Sequence, residues 1–302
     1  MKAELTSVGI EPTNACNLRC PICNTRTSKR PTGFMDFNLY KQIIDEIQEI
    51  PTVTGIALYL GGEPFLHPQF IEMLNYLPKY EERKYNVMVS TNAMLMNDDI
   101  MIALIKNQIT RLHVSLDGIG KRHEEKRVGS NYDTVVKNMR RLTELKNGRN
   151  HYPGTTVNMV ISDQEHDEID EFVNTWIHRV NFVILDALHD NKLKLKNLDL
   201  LPQRMIKEQH RTDMCNYPWC YMGILWNGDA MPCCCDLEGH NIIGNVGENG
   251  IMEVFNGKKA TRFRKMHETN KIPTKHVCKD CEIGRQILNG ILSEAFAKEE
   301  RK

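Results

Sequence analysis

The stretch Ile10-Glu-Pro-Thr-Asn-Ala-Cys-Asn-Leu-Arg-Cys-Pro-Ile-Cys23 decides the reading of the whole chain, because it sets Cys16, Cys20 and Cys23 on one short loop in the spacing C-x3-C-x2-C. Three thiols this close cannot all pair among themselves. An odd set on one loop after an apolar segment suits a cubane iron–sulfur cluster, in which each thiolate takes one iron and the fourth iron keeps an open place. Zinc competes for the same thiols, but a closed zinc site wants four ligands, and the next histidine, His67, is far along the chain. Three unrelated buried cysteines are the bland alternative.

Outward from that loop, 302 residues suffice for one sizeable domain and a smaller one. Lysine plus arginine equals aspartate plus glutamate at 39 each, so no global charge favours nucleic acid or an anionic membrane. The chain has ten cysteines, no charged-then-apolar leader and no apolar run long enough to span a bilayer. The expectation is a cytoplasmic protein in a reducing compartment, with its cysteines as cluster ligands or reactive thiols.

After the loop the pattern alternates. Residues 36–50 carry an apolar stripe at Phe37, Leu39, Tyr40, Ile43, Ile44 and Ile47 that reads as a helix ended by Pro51, and residues 53–60 read as a buried strand. The cycle continues with helices over 70–77, 98–106, 132–145 and 165–177, and strands over 86–90, 111–116, 156–161 and 180–185. With Ser7-Val-Gly-Ile-Glu-Pro12 as the first strand, six strands alternate with helices. Such alternation predicts an α/β fold with a parallel sheet and right-handed crossovers, either doubly wound or a partial barrel. Residues 187–202 are lysine-rich and read as a connector, dividing the chain into 1–186, 187–202 and 203–302.

The loop Cys-Asn-Leu-Arg-Cys-Pro-Ile-Cys resembles the signature of the radical S-adenosylmethionine (SAM) superfamily, with Ile22 where an aromatic residue is frequent. The resemblance implies a partial (β/α)6 barrel with a [4Fe–4S] cluster at the C-terminal edge of its strands. It also implies that the open iron binds SAM, that one electron releases a 5′-deoxyadenosyl radical, and that this radical takes a hydrogen atom from a substrate.

Gly61-Gly-Glu-Pro64 follows the second strand, where α/β proteins place ligands, and resembles the family's GGEP element. By that resemblance, the backbone of Gly61 and Gly62 and the Glu63 carboxylate would accept hydrogen bonds from the SAM ammonium. Ser90-Thr-Asn92 and Ser115-Leu-Asp117 end the third and fourth strands at the same edge. Polar residues at strand ends are commonly turn formers or caps. By resemblance, Ser90 and Asn92 would meet the ribose or carboxylate of SAM, with Ser115 and Asp117 beside them. Arg127, in a His-x3-Arg-x-Gly stretch beginning at His123, would clamp the SAM carboxylate. The adenine pocket would draw on Val157, Met159 or Ile161, a choice the sequence leaves open. His67 and His113 read as structural.

The cysteines return as Cys215-x4-Cys220-x12-Cys233-Cys-Cys235 and Cys278-x2-Cys281. This resembles the start of a SPASM domain, shortened to the twitch form because the next two cysteine positions are Ile287 and Ile291, on an apolar helical stripe with Leu288. The resemblance implies a second, auxiliary [4Fe–4S] cluster on Cys215, Cys233, Cys278 and Cys281, with Cys220 as the substitute for Cys215 and zinc as the rival metal. A hairpin turning at Asn227-Gly-Asp229 and a helix over 251–266 complete the expected small domain, with a C-terminal helix after it. Cys235 is the candidate hydrogen-atom donor.

Together these imply an oxidoreductase-type enzyme acting on a small molecule such as a sugar or aminocyclitol, by dehydrogenation or epimerisation. A reductase such as flavodoxin or ferredoxin would supply electrons. Maturation of a ribosomally made peptide is the alternative, disfavoured by a first strand so close to Met1 that no leader-recognition domain precedes it. A non-catalytic metal-binding module is the third reading.

Overall fold

The computed structural model describes residues 2–148, 151–188, 214–279, 281 and 290–292. Six strands lie parallel and side by side in chain order: β1 (Ser7–Ile10), β2 (Gly55–Ala57), β3 (Asn86–Thr91), β4 (Arg111–Ser115), β5 (Gly154–Ile161) and β6 (Phe182–Ala187). Parallel neighbours need crossovers. These contain α1 (Phe37–Glu49), α2 (Phe70–Tyr76), α3 (Asp98–Lys106), α4 (Lys121–Lys126), α5 (Tyr132–Lys146) and α6 (His166–Trp176). Three of these helices start at a polar cap, where Asp36, Asn97 and Asn131 accept hydrogen bonds from the first free N–H groups. The short α4 was not foreseen; it carries His123 and ends at Arg127.

The strand registers sort the side chains into two faces. On one, Val8, Ile56, Val87, Leu112, Val157 and Val183 are fully or almost fully buried and belong to the main core with the helices. The opposite, inner face carries Met88, Ser90, Arg111, His113, Ser115, Asn158 and Asp186, all only partly buried. Val157, Met159 and Ile161 all fall on the helix-covered face with no exposed surface. None of them lines the inner face, because a period of two sends alternate residues, Asn158 and Val160, there instead.

The small domain continues the same sheet. It comprises α7 (Tyr217–Cys220), β7 (Tyr221–Ile224), β8 (Asp229–Met231), β9 (Gly244–Asn245), α8 (Val246–Asn249), α9 (Ile251–Asn256) and α10 (Lys258–Glu268). Strand β7 pairs in parallel with the outer edge of β1, and β8 turns back on β7 at Asn227-Gly228, as the sequence predicts. Glu46 of α1 accepts the Ile251 N–H at 2.7 Å, so an acid of the large domain caps α9 of the small one.

Two expectations are corrected here. The single helix over 251–266 is broken into α9 and α10, because Gly257 adopts an extended backbone (φ −65°, ψ 167°) that interrupts the helical ladder. Ile291 lies not on a helix but in β10 (Gly290–Leu292), which pairs antiparallel with β6 and covers its outer edge. Ile287, Leu288, the remainder of the expected C-terminal helix and residues 189–202 of the connector lie outside the described residues.

Candidate active site and cysteine clusters

The cysteine loop is an excursion from the C-terminal end of β1, pinned where it leaves and returns. Thr13 and Phe34 form an antiparallel bridge, Thr13 Oγ1 donates to Gly33 O at 2.7 Å, and Asn14 Oδ1 accepts the Gly33 N–H at 2.9 Å. Cys20 is buried, Cys16 half-buried and Cys23 exposed. Burial pushes the Cys16 thiol up and the Cys20 thiol to about 11, with the Arg127 guanidinium pulling Cys20 the other way. The three sulfurs do not all lie within 4.8 Å of one another. A zinc ion with bonds of about 2.3 Å sets its sulfurs roughly 3.8 Å apart. A cubane, whose ligands ride on separate irons, takes wider-spaced thiols, and this loop fits it better.

Gly61-Gly-Glu63 packs directly on that loop. Gly62 has φ +69°, and the Glu63 N–H donates to Ala15 O at 2.7 Å. Glu63 itself is 2% exposed. Its Oε1 accepts from Thr91 Oγ1 at 2.7 Å and its Oε2 from the Asn92 N–H at 2.8 Å, which ties the β2 loop to the end of β3. Burial pushes the Glu63 carboxyl up to about 7, against the opposing hydrogen bonds of Asn92 and Thr91. The folded carboxyl therefore keeps its proton to about pH 7, whereas the unfolded one releases it near 4.5. The resulting stabilisation is complete below about 4.5 and is lost as pH rises through about 7. Urea unfolding of the reduced protein between pH 4.5 and 8 is expected to show stability falling by about 1–3 kcal/mol more than in Glu63→Gln. Parallel curves for the two proteins would refute the assignment.

Asn92 closes the triangle: its Nδ2 donates to Asn17 Oδ1 of the cysteine loop at 2.8 Å and its Oδ1 accepts the Met94 N–H. Ser90 and Ser115 stand on the inner face. Asp117 is fully buried, accepting the Val160 N–H at 2.8 Å on Oδ1. Its Oδ2 lies 2.8 Å from Arg127 Nε, an ion-pair distance at which the N–H is not aligned for a hydrogen bond. The neighbouring Arg19 N–H donates to Val128 O, so the His123 to Gly129 stretch is also fastened to the cysteine loop. The structure thus brings together the cysteine loop, Gly61 to Glu63, Asn92, Asp117 and Arg127.

Deeper on the inner face, His113 Nε2, Thr156 Oγ1 and Asn158 Oδ1 are buried without a hydrogen-bond partner among the described residues. Burial, helped by Arg111, lowers His113 to about 4, so its ring is neutral. Burial raises Asp186, beside Asn158, to about 6. Unpaired buried polar atoms are costly, and these three share the sheet face opposite the helix-packed core. A polar ligand bound on that face would satisfy them.

In the small domain, Cys215, Cys233, Cys278 and Cys281 line one pocket with Pro218, Phe263 and Val277, while the sulfurs that lie within 4.8 Å of one another are those of Cys233, Cys234 and Cys235. Cys220 is absent from that lining and its thiol is directed to Asn216 O at 3.4 Å. Cys234 and Cys235 are also absent, their sulfurs 3.7 Å apart. Burial, with a smaller contribution from Cys234, pushes Tyr59, two residues past the end of β2, up to about 12. Asp236 organises the pocket's rim, accepting from the His240 and Asn241 N–H groups at 3.0 and 2.8 Å. Sequence reading missed Asn17, Thr91 and Asp236, all immediate neighbours of motif residues. It also missed Glu11, fully buried, which takes two hydrogen bonds from Arg30 (2.6 and 3.0 Å) and one from the Trp226 N–H.

Comparison with known proteins places the chain in a family. The radical SAM superfamily model matches residues 10–175, and the model of the SPASM iron–sulfur cluster-binding domain matches residues 215–282. The chain is 22% identical over 313 residues to the tungsten-containing aldehyde ferredoxin oxidoreductase cofactor-modifying protein of Pyrococcus furiosus, covering 91% of this chain and 86% of the relative. It is 22% identical over 279 residues to the SAM-dependent 2-deoxy-scyllo-inosamine dehydrogenase of Niallia circulans, covering 91% of each. Among solved structures, SAM-bound SuiB of Streptococcus suis, also crystallised with its precursor peptide SuiA, shares the fold at a TM-score of 0.71 and 19% identity, over 94% of this chain and 72% of SuiB. The chain is a radical SAM superfamily enzyme that carries a SPASM/twitch-type iron–sulfur domain at its C-terminal side.

Proposed function

We propose that this enzyme dehydrogenates a small polar molecule, with Cys16, Cys20 and Cys23 as ligands of the SAM-binding cluster and Cys215, Cys233, Cys278 and Cys281 as ligands of an auxiliary one. Reductive cleavage of SAM is the chemistry that an open-iron [4Fe–4S] cluster supplies, and a second cluster gives the electron left after hydrogen abstraction somewhere to go. The chain's own residues orient the reactants. The Gly61–Gly62 backbone would accept from the SAM ammonium, Glu63 and Asn92 hold that backbone against the cysteine loop, and Ser90 and Ser115 offer hydroxyls on the inner face. Arg127, engaged by Asp117, retains donors for the SAM carboxylate.

The observation that carries this reading is the meeting of the cysteine loop, Gly61 to Glu63 and Asn92 at one sheet edge, through Glu63 N–H to Ala15 O and Asn92 Nδ2 to Asn17 Oδ1. The unpartnered His113, Thr156 and Asn158 atoms favour a compact polyhydroxylated or amino-bearing substrate such as a sugar or aminocyclitol. Anaerobic incubation of reconstituted enzyme with SAM and candidate substrates, each in normal and deuterated form, tests it. Deuterium entering 5′-deoxyadenosine identifies the substrate, and deoxyadenosine formation that no candidate stimulates sinks the small-molecule reading. The second reading, maturation or epimerisation of a ribosomally made peptide, draws on the likeness to SuiB and is the case in which Cys235 would donate a hydrogen atom.

The ligand set has its own check. Iron reconstituted into protein lacking the three N-terminal cysteines should reach about four per chain. Cys220→Ala in that background should leave it unchanged, while Cys215→Ala should abolish most of it. Zinc in place of iron, or equal losses in both variants, would overturn the assignment.

A further inference from the structure

Next to the pocket lined by the four C-terminal-domain cysteines lies a second concavity, an open groove of about 880 Å³ along α10. Five cations line it, Lys258, Lys259, Arg262, Lys265 and Lys271, and no carboxylate does. The chain as a whole is charge-balanced, at 39 of each sign, so this is a local concentration and not a reflection of composition. Ala260, Arg264 and His267 turn α10's other side into the domain, which leaves Lys258, Lys259, Arg262 and Lys265 exposed. Among the described residues only Lys265 of these five has an ion-pair partner, Glu268 at 3.8 Å.

The placement works against the helix that carries it. Lys258 and Lys259 stand in the first turn of α10, where the helix dipole disfavours cations and where no acid offsets them. Lys258 and Arg262 are a like-charged i,i+4 pair, which is also unfavourable. Among the described residues no ion pair offsets Lys258, Lys259 or Arg262, and a negatively charged partner would. The groove also shares a wall with the cysteine pocket: Asn241 and Phe263 line both. A body seated on the groove would meet the Asn241–Phe263 wall that the cysteine pocket shares.

We propose that this cationic face docks a small acidic electron-transfer protein, carrying a flavin or an iron–sulfur centre, that exchanges one electron with the auxiliary cluster through the Asn241–Phe263 wall. The inference rests on the reading that Cys215, Cys233, Cys278 and Cys281 hold a cluster. In the exchange the reduced cluster loses one electron, the partner's centre gains one, and no covalent bond changes. Complementary charge steers encounter and sets orientation, so its signature is a rate and an affinity that fall with salt.

The test uses the full chain with both clusters reconstituted and a purified acidic flavodoxin as probe, at about 50 and 300 mM NaCl. Two readouts are taken: the dissociation constant by calorimetry, and flavodoxin semiquinone formation by stopped flow after mixing with reduced enzyme. For Lys258→Glu/Arg262→Glu both the affinity and the rate at low salt should fall by about tenfold or more. The neutral pair Lys258→Gln/Arg262→Gln should fall less, in the same order, and guards against a variant that folds badly. Lys137→Glu/Arg140→Glu, exposed on α5, should match the unaltered protein. Iron content and dithionite-driven deoxyadenosine formation should be unchanged in all of them. The proposal is overturned if the α10 variants stay within about twofold or if the α5 control falls equally. It is also overturned if a polyglutamate peptide occupies the face while electron transfer is undisturbed, which would mark a peptide-docking surface. Because the calorimetric readout needs no cluster, loss of docking is distinguishable from failure of the auxiliary-cluster reading, which the iron content reports separately.

Discussion

Arg30→Met should destabilise the folded protein by about 3–5 kcal/mol, because it leaves the Glu11 carboxylate buried without its charge partner. Glu11 sits at the end of β1 with no exposed surface, and Arg30 grips it with two hydrogen bonds from the far side of the cysteine loop. The Trp226 N–H, from the turn between β7 and β8, donates to the same carboxylate. One buried charge therefore joins the first strand, the loop that carries Cys16, Cys20 and Cys23, and the small domain. Removing the cation costs far more than losing a surface pair, since water cannot reach the stranded oxygens. Glu11→Gln in the Arg30→Met background should recover part of the loss, giving a coupling energy of about 1–3 kcal/mol in a double-mutant cycle. Urea unfolding of the reduced apoprotein measures all four proteins; a loss under about 1 kcal/mol for Arg30→Met would mean that the pair is solvated after all.

That pair also marks the limit of what the sequence discloses. The large domain was legible because its signals are local: apolar runs such as Val87 to Val89 bounded by helices with Asp36, Asn97 or Asn131 at their starts, and three thiols within eight residues. Glu63, Asn92, Asp117 and Arg127 stood out because each follows a strand or belongs to a motif. Glu11 and Arg30 are 19 positions apart with no periodicity linking them, and a buried ion pair has no pattern until the chain has folded. The pairing of β7 with β1 is likewise non-local, joining residues more than 200 positions apart. The helix expected over 251–266 is broken by the extended backbone of Gly257, a conformation that the sequence does not disclose. A short apolar run such as that around Ile291 suits either a helix or an edge strand, and the otherwise unpaired rim of β6 makes the choice. Cys215 and Cys220 cannot be separated by spacing alone, since both precede Cys233 at plausible distances; the pocket that holds Cys233, Cys278 and Cys281 includes Cys215 in its lining and not Cys220, which supports the proposed choice of Cys215.

Gly62→Ala should reduce dithionite-driven deoxyadenosine formation by about a hundredfold, the scale expected when reacting groups are displaced by about 1 Å. At φ +69° an L side chain is strained by about 1–2 kcal/mol before any contact is counted. The contacts are worse: a Cβ there would lie 2.4 Å from Ala15 O and 2.6 Å from Thr13 O, both backbone atoms of the cysteine loop's base. Backbone cannot rotate aside as a side chain does, so either the β2 loop or the cysteine loop must move. Movement of either one breaks the hydrogen bond from the Glu63 N–H to Ala15 O and shifts Glu63 away from Thr91 and Asn92. The proposed SAM-binding backbone would then stand off from the proposed cluster ligands. Gly55→Ala is the matched control: its Cβ meets nothing within 4 Å, so activity and stability should hold to within about 0.5 kcal/mol. Iron content read alongside activity separates the two ways Gly62→Ala can act. Full iron with little deoxyadenosine means that SAM is misplaced, and lost iron means that the cysteine loop itself has been displaced. A variant that keeps both iron and rate would show that the close seating of Gly62 on Ala15 is not what holds the two loops in register.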